Sequence, residues 1–335
     1  MAHKIHVIDT TLRDGSHAVS HSYSPEQVRA VAGALDQSGV AMIEVAHGDG
    51  ITGSSYNYGF SKYPEEDLIR AAAEVVHNAK LDILLLPGIG TVADLKKAHG
   101  WGVNAVRVAT HVTEADVSAQ HIKAAKELDM FAVGFLMMVH MASPQKIAEQ
   151  AKLMESYGAD YINLADSAGY LLPQDVADRI HAVQDAVSIP VGFHAHNNMS
   201  MAVANTLTAI ESGATYVDAT LRGLGAGAGN CQLEVLAGVL ERKGIDSGLD
   251  FYKLMDAAEG IVEPLMQRPQ VIRNAPLMLG YAGVYSSFLL HVYRAADRFG
   301  LDPRDILVEI GRRGMVGGQE DKIVEVAYLM KEGKA

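Results

Sequence analysis

The chain has 335 residues, of which 49% are hydrophobic, and its formal net charge at pH 7 is −12. This length allows a large hydrophobic core, so we expect one large α/β domain with a smaller element, or two domains. The negative charge argues against nucleic acids and anionic membrane surfaces as partners.

The N-terminal residues and the cysteine content predict a cytoplasmic protein. The opening MAHKIHVIDT has no apolar core of signal-peptide length, and no stretch reaches about 18 uninterrupted apolar residues, the length that spans a bilayer. The single cysteine, Cys231, excludes an internal disulfide framework and is typical of a reducing compartment. We therefore expect no membrane association.

Short apolar runs alternate with amphipathic stretches along most of the chain. Near-continuous apolar runs are typical of buried parallel strands, and they predict strands at residues 5–12, 41–47, 81–87, 105–111, 130–140, 161–166, 190–196 and 215–221. Helical patterns lie between them, among them residues 24–39, 143–158, 172–186 and 199–213. Ser24 and Ser143 are the predicted N-caps of the first two, and each precedes a proline at the first helical position.

Eight βα units in about 240 residues predict an α/β protein with a (β/α)₈, or TIM, barrel. A doubly wound open sheet is the alternative, but no glycine-rich dinucleotide turn follows the first strand. The remaining sequence shows only helical patterns, at residues 252–267, 280–300, 302–314 and 319–333. We therefore predict a catalytic barrel over residues 1–260 and a C-terminal all-helical domain over residues 261–335.

Polar side chains cluster at the C-terminal ends of the predicted strands, which is where (β/α)₈ barrels carry out their chemistry. The residues at these ends are Arg13, Asp14, His17, His47, His111, His140, Asp166, Ser167, His194, His196 and Arg222. We expect the functional site among them.

The HAH motif at the end of the seventh strand and the aspartate after the first strand predict a metal site. Residues i and i+2 of a strand point to the same face, so His194 and His196 do so. With Asp14 they form a set of two imidazoles and one carboxylate, which suits a divalent first-row metal with open positions. For the histidine pair alone, the polar end of a core strand is the alternative. Asn230 is either a further ligand or neighbour of the metal, or a residue of a glycine-rich turn.

Three other residues are candidates for the reaction itself. Arg13 suits a carboxylate or enolate oxygen, unless it only forms an ion pair with Asp14 or Asp166. His17 has the side chain that most often acts as a general base, although a loop histidine is commonly only solvated. Ser167 is either a ligand of a substrate carboxylate or a helix cap. None of the eight predicted strands contains lysine, which argues for a metal rather than an imine as the carbanion stabiliser.

Longer motifs together point to a family. DTTLRDGSHA, HAHNN and GAGAGN resemble the corresponding motifs of the DRE-type metallolyase superfamily of barrels. RDGSHAVSH, ADSAGY, GYAGVYSSFLLH and MVGGQED more closely resemble the 4-hydroxy-2-oxovalerate aldolases of the meta-cleavage pathways, which degrade aromatic compounds and steroids. The resemblance extends from residue 4 to about residue 330.

The resemblance implies roles for particular residues. Asp14, His194 and His196 would hold a divalent metal, most often Mn²⁺, with Mg²⁺ or Co²⁺ as substitutes. Arg13 would stabilise an enolate, and His17 would be the catalytic base.

The substrate contacts that the resemblance implies come from both predicted domains. They involve Arg13, Ser167, His194 and, from the C-terminal helices, Tyr285, for which Tyr281 is the nearest rival. One position departs from the family pattern: Asn197 stands where relatives often carry histidine. Since that position is not a metal ligand in the family, we expect the departure to alter only the surroundings of the ligands and not the ligands themselves.

The resulting hypothesis is a metal-dependent class II retro-aldol cleavage. The substrate would be 4-hydroxy-2-oxopentanoate or a longer homologue, and the products pyruvate and acetaldehyde or a longer aldehyde. The alternatives are an acyl-CoA Claisen-type synthase or lyase on the same barrel, and a non-catalytic metal-binding scaffold. The resemblance also implies a hetero-oligomer with an acylating acetaldehyde dehydrogenase, which receives the aldehyde by channelling near the C-terminal helices.

Overall fold

Eight parallel strands close into a barrel, with each strand hydrogen-bonded to its neighbours in chain order and the last strand paired with the first. The computed structural model describes residues 4–285, 288–316 and 319–334. The strands are β1 (His6–Asp9), β2 (Met42–Glu44), β3 (Lys80–Leu85), β4 (Ala105–His111), β5 (Phe131–Met137), β6 (Tyr161–Asp166), β7 (Val191–Ala195) and β8 (Tyr216–Ala219). This confirms the predicted (β/α)₈ barrel.

An α-helix follows each strand. These helices are α1 (Pro25–Gln37), α2 (Glu65–Ala73), α3 (Val92–Gly100), α4 (Ala119–Glu127), α5 (Pro144–Ser156), α6 (Pro173–Gln184), α7 (Ala202–Glu211) and α8 (Leu233–Lys243). The predicted caps are present: Ser24 forms a reciprocal capping box with Gln27, and the Ser143 hydroxyl accepts from the backbone N–H of Lys146. Such caps satisfy backbone donors that have no partner within the helix, and they set where each helix begins.

The barrel interior contains an unusual polar layer. In (β/α)₈ barrels, alternate strands contribute the four side chains of an interior layer, and these are mostly branched and apolar. Here the even-numbered strands contribute the fully buried side chains of Glu44, Arg107, Asn163 and Asp218, which are connected by hydrogen bonds. Two residues earlier on the same strands lie the apolar and aromatic side chains of Met42, Ala105, Tyr161 and Tyr216. The polar layer therefore lies between this packed base and the C-terminal ends of the strands.

The C-terminal region is helical, as predicted. It contains α9 (Phe251–Ala257), α10 (Asn274–Ala282), α11 (Phe288–Phe299), α12 (Pro303–Arg312) and α13 (Lys322–Lys331). Helix α9 packs against α1 and α8 and contributes to the barrel core, whereas α10 to α13 surround a second cluster of buried apolar side chains. No helix among the described residues is long and apolar enough to cross a membrane.

Several predicted element bounds are wrong. The predicted helix over 280–300 is interrupted, because Gly283 takes up a left-handed conformation (φ +66°) and ends α10. The predicted helix over 252–267 is α-helical only as far as Ala257. The chain continues as a short π-helix (Ala258–Val262) and then as a 3₁₀ turn (Glu263–Leu265). The predicted strand over 130–140 ends at Met137, because Met138 has a left-handed backbone (φ +57°). The predicted strand over 41–47 is shorter, and a long loop follows it.

Candidate active site

The three predicted metal ligands come together at the C-terminal end of the barrel. Asp14 begins a short 3₁₀ turn after β1, His194 lies in β7, and His196 follows directly after β7. Oδ2 of Asp14 lies 3.4 Å from Nε2 of His194 and 3.6 Å from Nε2 of His196. The two Nε2 atoms lie 3.3 Å apart. One carboxylate oxygen and two imidazole nitrogens thus face each other without intervening side chains.

The spacing of these atoms fits a common metal ion. Ligand atoms bonded at about 2.1 Å to one tetrahedral or octahedral ion lie about 3.0–3.4 Å from each other. The observed separations of 3.3 to 3.6 Å approach this range. The nearby Asn230 is buried, and both polar atoms of its side-chain amide have no hydrogen-bond partner. The backbones of His196 and Asn230 form an isolated β-bridge, so Asn230 lies next to a predicted ligand. A buried side-chain amide without a hydrogen-bond partner at this place is consistent with an adjoining metal.

The protonation states of Asp14 and His196 also suit metal binding. Burial alone would raise the pKa of Asp14, but Arg13 and the two histidines hold it well below its usual range. Burial lowers the pKa of His196 to about 4, so its imidazole is neutral near pH 7 and retains a lone pair. Metal ligands of these types must be deprotonated.

A buried carboxylate fixes the orientation of His194. Nδ1 of His194 lies 2.7 Å from Oδ2 of Asp218, and because a carboxylate only accepts, the proton is on Nδ1. Nε2 faces Asp14 and His196; burial alone would lower the pKa of His194, but the carboxylates of Asp14 and Asp218 raise it, so a metal that binds at Nε2 would displace a proton. A carboxylate behind a metal-binding imidazole is a common arrangement that fixes the tautomer and the ring orientation.

Arg13 is buried beside this triad and is held by two acids. Its Nε donates to Oε2 of Glu44 at 2.6 Å, and its Nη1 lies 3.2 Å from Oδ2 of Asp14. Nη1 also donates to the carbonyl oxygen of Gly48 at 3.3 Å. The ion-pair interpretation of Arg13 is thus correct for Asp14, yet the guanidinium also lines the cavity that contains the triad.

His17 lies at the end of the same 3₁₀ turn and is partly exposed to the cavity. Its Nε2 is 4.0 Å from Oδ2 of Asp49. The loop after β2 leaves space for the imidazole, because a Cβ atom on Gly48 would lie only 2.4 Å from Nε2 of His17. His17, His21 and Asp49 form a second group of potential ligands, but the wider separation of 4.0 Å fits a metal less well than the triad does.

Two neighbouring imidazoles are held neutral. The rings of His21 and His47 stack at 3.8 Å between centroids. The pKa of His21 is lowered to about 3 and that of His47 to about 4. Burial is the main cause of both shifts, and the electrostatic influence of the nearby His17 is the second. Nδ1 of His47 accepts from the backbone N–H of Asp49, and its Nε2 donates to the carbonyl of Gly59, both at 3.1 Å. His47 is therefore a structural part of this loop.

The remaining predicted site residues line the cavity from other elements. The Ser167 hydroxyl accepts from the backbone N–H of Met138 at 3.1 Å, and it does not cap the following helix, α6, whose N-cap is Leu172. Tyr285 lies in the break between α10 and α11, which corrects its expected location within a helix. Tyr281, its rival, is 65% exposed on α10 and does not line this cavity.

Other residues at the strand ends have local roles. Nε2 of His140 donates to the carbonyl of Gly283 at 2.9 Å and so connects the barrel to the end of α10. Asp166 accepts from two backbone N–H groups of the loop after β6. Arg222 pairs with Glu263 at 3.1 Å, and Nδ1 of His111 lies 2.9 Å from the hydroxyl of Thr113. These four do not line the cavity of the triad.

Comparison with known proteins identifies the family. The HMGL-like family model matches residues 4–261, and that of the DmpG-like communication domain matches residues 270–332. The chain is 66% identical to the 4-hydroxy-2-oxovalerate aldolase of Moorella thermoacetica, over 99% of this chain and 98% of that protein. It is 61% identical to the enzyme of the same name from Carboxydothermus hydrogenoformans, over 99% of both. The chain belongs to the HMGL-like family, among the 4-hydroxy-2-oxovalerate aldolases.

Solved structures with lower sequence identity share the fold of this aldolase. The N-terminal domain of a putative aldolase from Bacteroides vulgatus superposes with a TM-score of 0.71 at 23% identity, over 84% of this chain and 94% of that one. The carboxyl transferase domain of Rhizobium etli pyruvate carboxylase has a TM-score of 0.81 at 17% identity, over 99% of this chain and 61% of that one. These likenesses concern the barrel and its C-terminal helices, not the reaction.

The aldolase contains site residues that sequence reasoning missed. Glu44, Arg107 and Asp218 support the predicted residues from inside the barrel, and Asp49 faces His17. A usable signal was present for the first three: each is the one Asp, Glu, Lys or Arg residue of its predicted strand. The expectation of no strand lysine is wrong for β3, which begins at Lys80, but this lysine is exposed at the N-terminal end of its strand and does not line the cavity. The family and the triad together support a divalent metal as the cofactor of this lyase.

Proposed function

We propose that this aldolase carries out a metal-dependent class II retro-aldol cleavage. Its substrate is 4-hydroxy-2-oxopentanoate or a longer homologue, and its products are pyruvate and acetaldehyde or a longer aldehyde. The main support is the convergence of three potential metal ligands, a buried guanidinium and a partly exposed imidazole around one cavity. The substrate follows from the names of the relatives, and the sequence motifs favour a place in meta-cleavage degradation of aromatic compounds or steroids.

Asp14, His194 and His196 would hold the metal. We propose Mn²⁺, with Mg²⁺ or Co²⁺ able to replace it, because two imidazoles and a carboxylate accept first-row divalent ions and leave positions for oxygen donors of a 2-oxo acid. When bound, such an ion acts as a Lewis acid toward the oxygens of the substrate. Zinc fits less well, because a substrate with two oxygen donors favours an octahedral ion.

His17 is the proposed base that takes the proton from the 4-hydroxyl of the substrate. It lines the cavity, and its Nε2 lies 4.0 Å from Oδ2 of Asp49. This distance is too long for a hydrogen bond, so Asp49 does not prevent Nε2 from accepting a proton from the substrate. The nearby His47 is a poor alternative, because hydrogen bonds already engage both of its ring nitrogens. Removal of this proton lets the C3–C4 bond break, which releases the aldehyde and leaves the pyruvate enolate. An acid, either a water or a tyrosine, then protonates the enolate at C3 to give pyruvate.

Three further side chains, together with His194, bind and stabilise the reacting 2-oxo acid in this proposal. Arg13, held by Glu44, provides fixed positive charge where the pyruvate enolate develops. The Ser167 hydroxyl, whose oxygen already accepts one hydrogen bond, donates its own hydrogen to the substrate carboxylate. Tyr285 contacts the substrate from the side of the C-terminal helices, and His194 lines the same space.

The two alternative functions are less well supported. The curated relatives that match this chain end to end are named as aldolases, and a DmpG-like domain follows the barrel. This disfavours an acyl-CoA Claisen-type synthase or lyase. The cavity next to the triad, with an imidazole and a guanidinium in its wall, disfavours a non-catalytic scaffold.

We also propose that residues 1–260 form the catalytic domain and residues 261–335 a partner-contacting domain. The separate cluster of buried side chains in α10 to α13 and the match to a communication domain support this division. The partner is an acylating acetaldehyde dehydrogenase, which would receive the aldehyde without its release into solution. A cytoplasmic location, in keeping with the single free thiol of Cys231, stays a prediction.

Product analysis tests the proposed function. The purified protein is stripped of metal with a chelator, and pyruvate formation from 4-hydroxy-2-oxopentanoate is followed with lactate dehydrogenase before and after Mn²⁺ is added. We expect no cleavage without metal and full recovery with Mn²⁺. The reverse reaction, with pyruvate and aldehydes of increasing length, defines the aldehyde range. Condensation with acetyl-CoA in place of an aldehyde, or cleavage that survives complete metal removal, would contradict the proposal.

A further inference from the structure

Arg107 is a buried arginine within the barrel, away from the cavity wall. It lies in β4 and is fully excluded from solvent. Its Nη2 donates to Oδ2 of Asp218, and its Nη1 donates to Oε2 of Glu44 at 3.4 Å. The ring of Phe135 lies 4.5 Å from the guanidinium carbon. One guanidinium thus connects carboxylates from β2 and β8 across the barrel.

Each of these carboxylates holds one residue of the site. Oε2 of Glu44 accepts from Nε of Arg13 at 2.6 Å, and Oδ2 of Asp218 faces Nδ1 of His194 at 2.7 Å. The same oxygen of each acid therefore contacts both Arg107 and a site residue. Displacing Arg107 would change the position of both acids at once.

The geometry requires the forked shape of arginine. The two terminal nitrogens of one planar group reach two carboxylates, from the strands β2 and β8 on either side of β1, whereas lysine offers one compact charge. Buried charges also need partners, because removing one partner leaves the other uncompensated. Without Arg107, Asp218 would keep its contacts with Nδ1 of His194 at 2.7 Å and with the amide of Asn163 at 3.3 Å, but it would lose its guanidinium partner.

We propose that Arg107 is a positioning residue that orients His194 for metal binding through Asp218 and, at the same time, orients Arg13 for enolate stabilisation through Glu44. This inference rests on the proposed function. It predicts two separable effects, one on metal affinity and one on turnover, that originate from a single buried side chain.

Three variants and two measurements separate these effects. Mn²⁺ affinity is measured by titration of the metal-free protein with Mn²⁺ alone, and kcat is measured with saturating Mn²⁺. We expect Asp218→Asn to weaken Mn²⁺ binding by about 10- to 100-fold, with kcat largely recovered at saturating Mn²⁺. Glu44→Gln should leave Mn²⁺ affinity within about two-fold and lower kcat by about 10-fold or more. Arg107→Lys should show both effects.

Arg179→Lys is the matched control, because this partly buried arginine donates to the backbone carbonyls of Val139 and Ala142, away from the triad. It should leave both measurements unchanged. Circular dichroism verifies folding, and Arg107→Gln, whose planar amide can still donate, replaces Arg107→Lys if the latter does not fold.

The proposal is overturned if the folded Arg107 variant matches the wild type in both measurements, or if Asp218→Asn and Glu44→Gln affect both measurements alike. If the wild-type protein does not cleave the 2-oxo acid, the proposed function fails. The Mn²⁺ affinities of the Arg107 and Asp218 variants still decide the metal-orienting part in that case.

Discussion

The imidazole of His17 combines access to the cavity with a nearby carboxylate. We expect His17→Ala to lower kcat by about 10²- to 10⁴-fold, the usual contribution of a general base, with a much smaller change in KM. Mn²⁺ affinity should not change, because His17 is not part of the triad. Steady-state kinetics with coupled pyruvate detection, combined with Mn²⁺ titration, measure both quantities. Turnover like that of the wild type would transfer the role to a metal-bound water.

The triad gives a separate prediction at the residue scale. Asp14→Ala and His196→Ala each remove one of three converging ligand atoms. We expect both variants to lose cleavage activity and to contain much less metal, as measured by elemental analysis of the purified proteins. The barrel should remain folded, because these side chains lie at the strand ends and not in the packed core. Full activity in a metal-free His196→Ala protein would rule out this site.

The loop between β2 and α2 is the element that positions His17. A methyl group on Gly48 would meet three atoms of the His17 ring at 2.4 to 2.7 Å, and the backbone there is not left-handed. We therefore expect Gly48→Ala to displace the imidazole and to lower kcat without a comparable loss of thermal stability. Gly100→Ala is the control, because a methyl group at this position in α3 contacts nothing within 4 Å. It should keep wild-type kcat and raise stability by up to about 1 kcal/mol.

Equal kcat values for the Gly48 and Gly100 variants would show that the loop does not position the base. Reduced kcat together with lost Mn²⁺ binding in Gly48→Ala would place the disturbance at Arg13, whose Nη1 donates to the Gly48 carbonyl, rather than at His17.

The elements also show what the sequence can predict. Strands β4 and β6 have the predicted bounds, because buried parallel strands are continuous apolar runs. The sequence does not predict the break after α10, because the apolar pattern continues on both sides of it. Gly283 is nevertheless a residue type that commonly ends helices. The roles of Glu44 and Asp218 could not be derived, since each depends on a partner that only barrel closure brings near. The convergence of Asp14, His194 and His196, in contrast, follows from local spacing and the position of strand ends.

At the scale of the whole molecule, the barrel and the C-terminal helices meet at the cavity. Tyr285, Leu290 and His291 line it together with the three predicted metal ligands, and His140 connects the barrel to Gly283. The residues that follow the break in the helices therefore contribute to the site, while α10 presents apolar side chains to solvent. Leu277 and Tyr281 lie one turn apart on α10 and are 44% and 65% exposed. A partner that binds α10 would thus lie close to the point where the aldehyde forms.

We expect Tyr281→Glu to weaken the complex with an acylating acetaldehyde dehydrogenase by about 10-fold or more, because a charge would be buried in an apolar contact. Tyr252→Glu is the matched control: Tyr252 is 72% exposed, but it lies on α9, which packs on the barrel. Both variants should keep the wild-type kcat for cleavage, since neither tyrosine lines the cavity. Co-expression, size exclusion at micromolar concentration and interception of acetaldehyde by a scavenger measure assembly and channelling. Separate elution of the two wild-type proteins, with full interception, would refute the complex and leave the aldolase assignment intact. If both glutamate variants assemble like the wild type, the contact lies elsewhere than on α10.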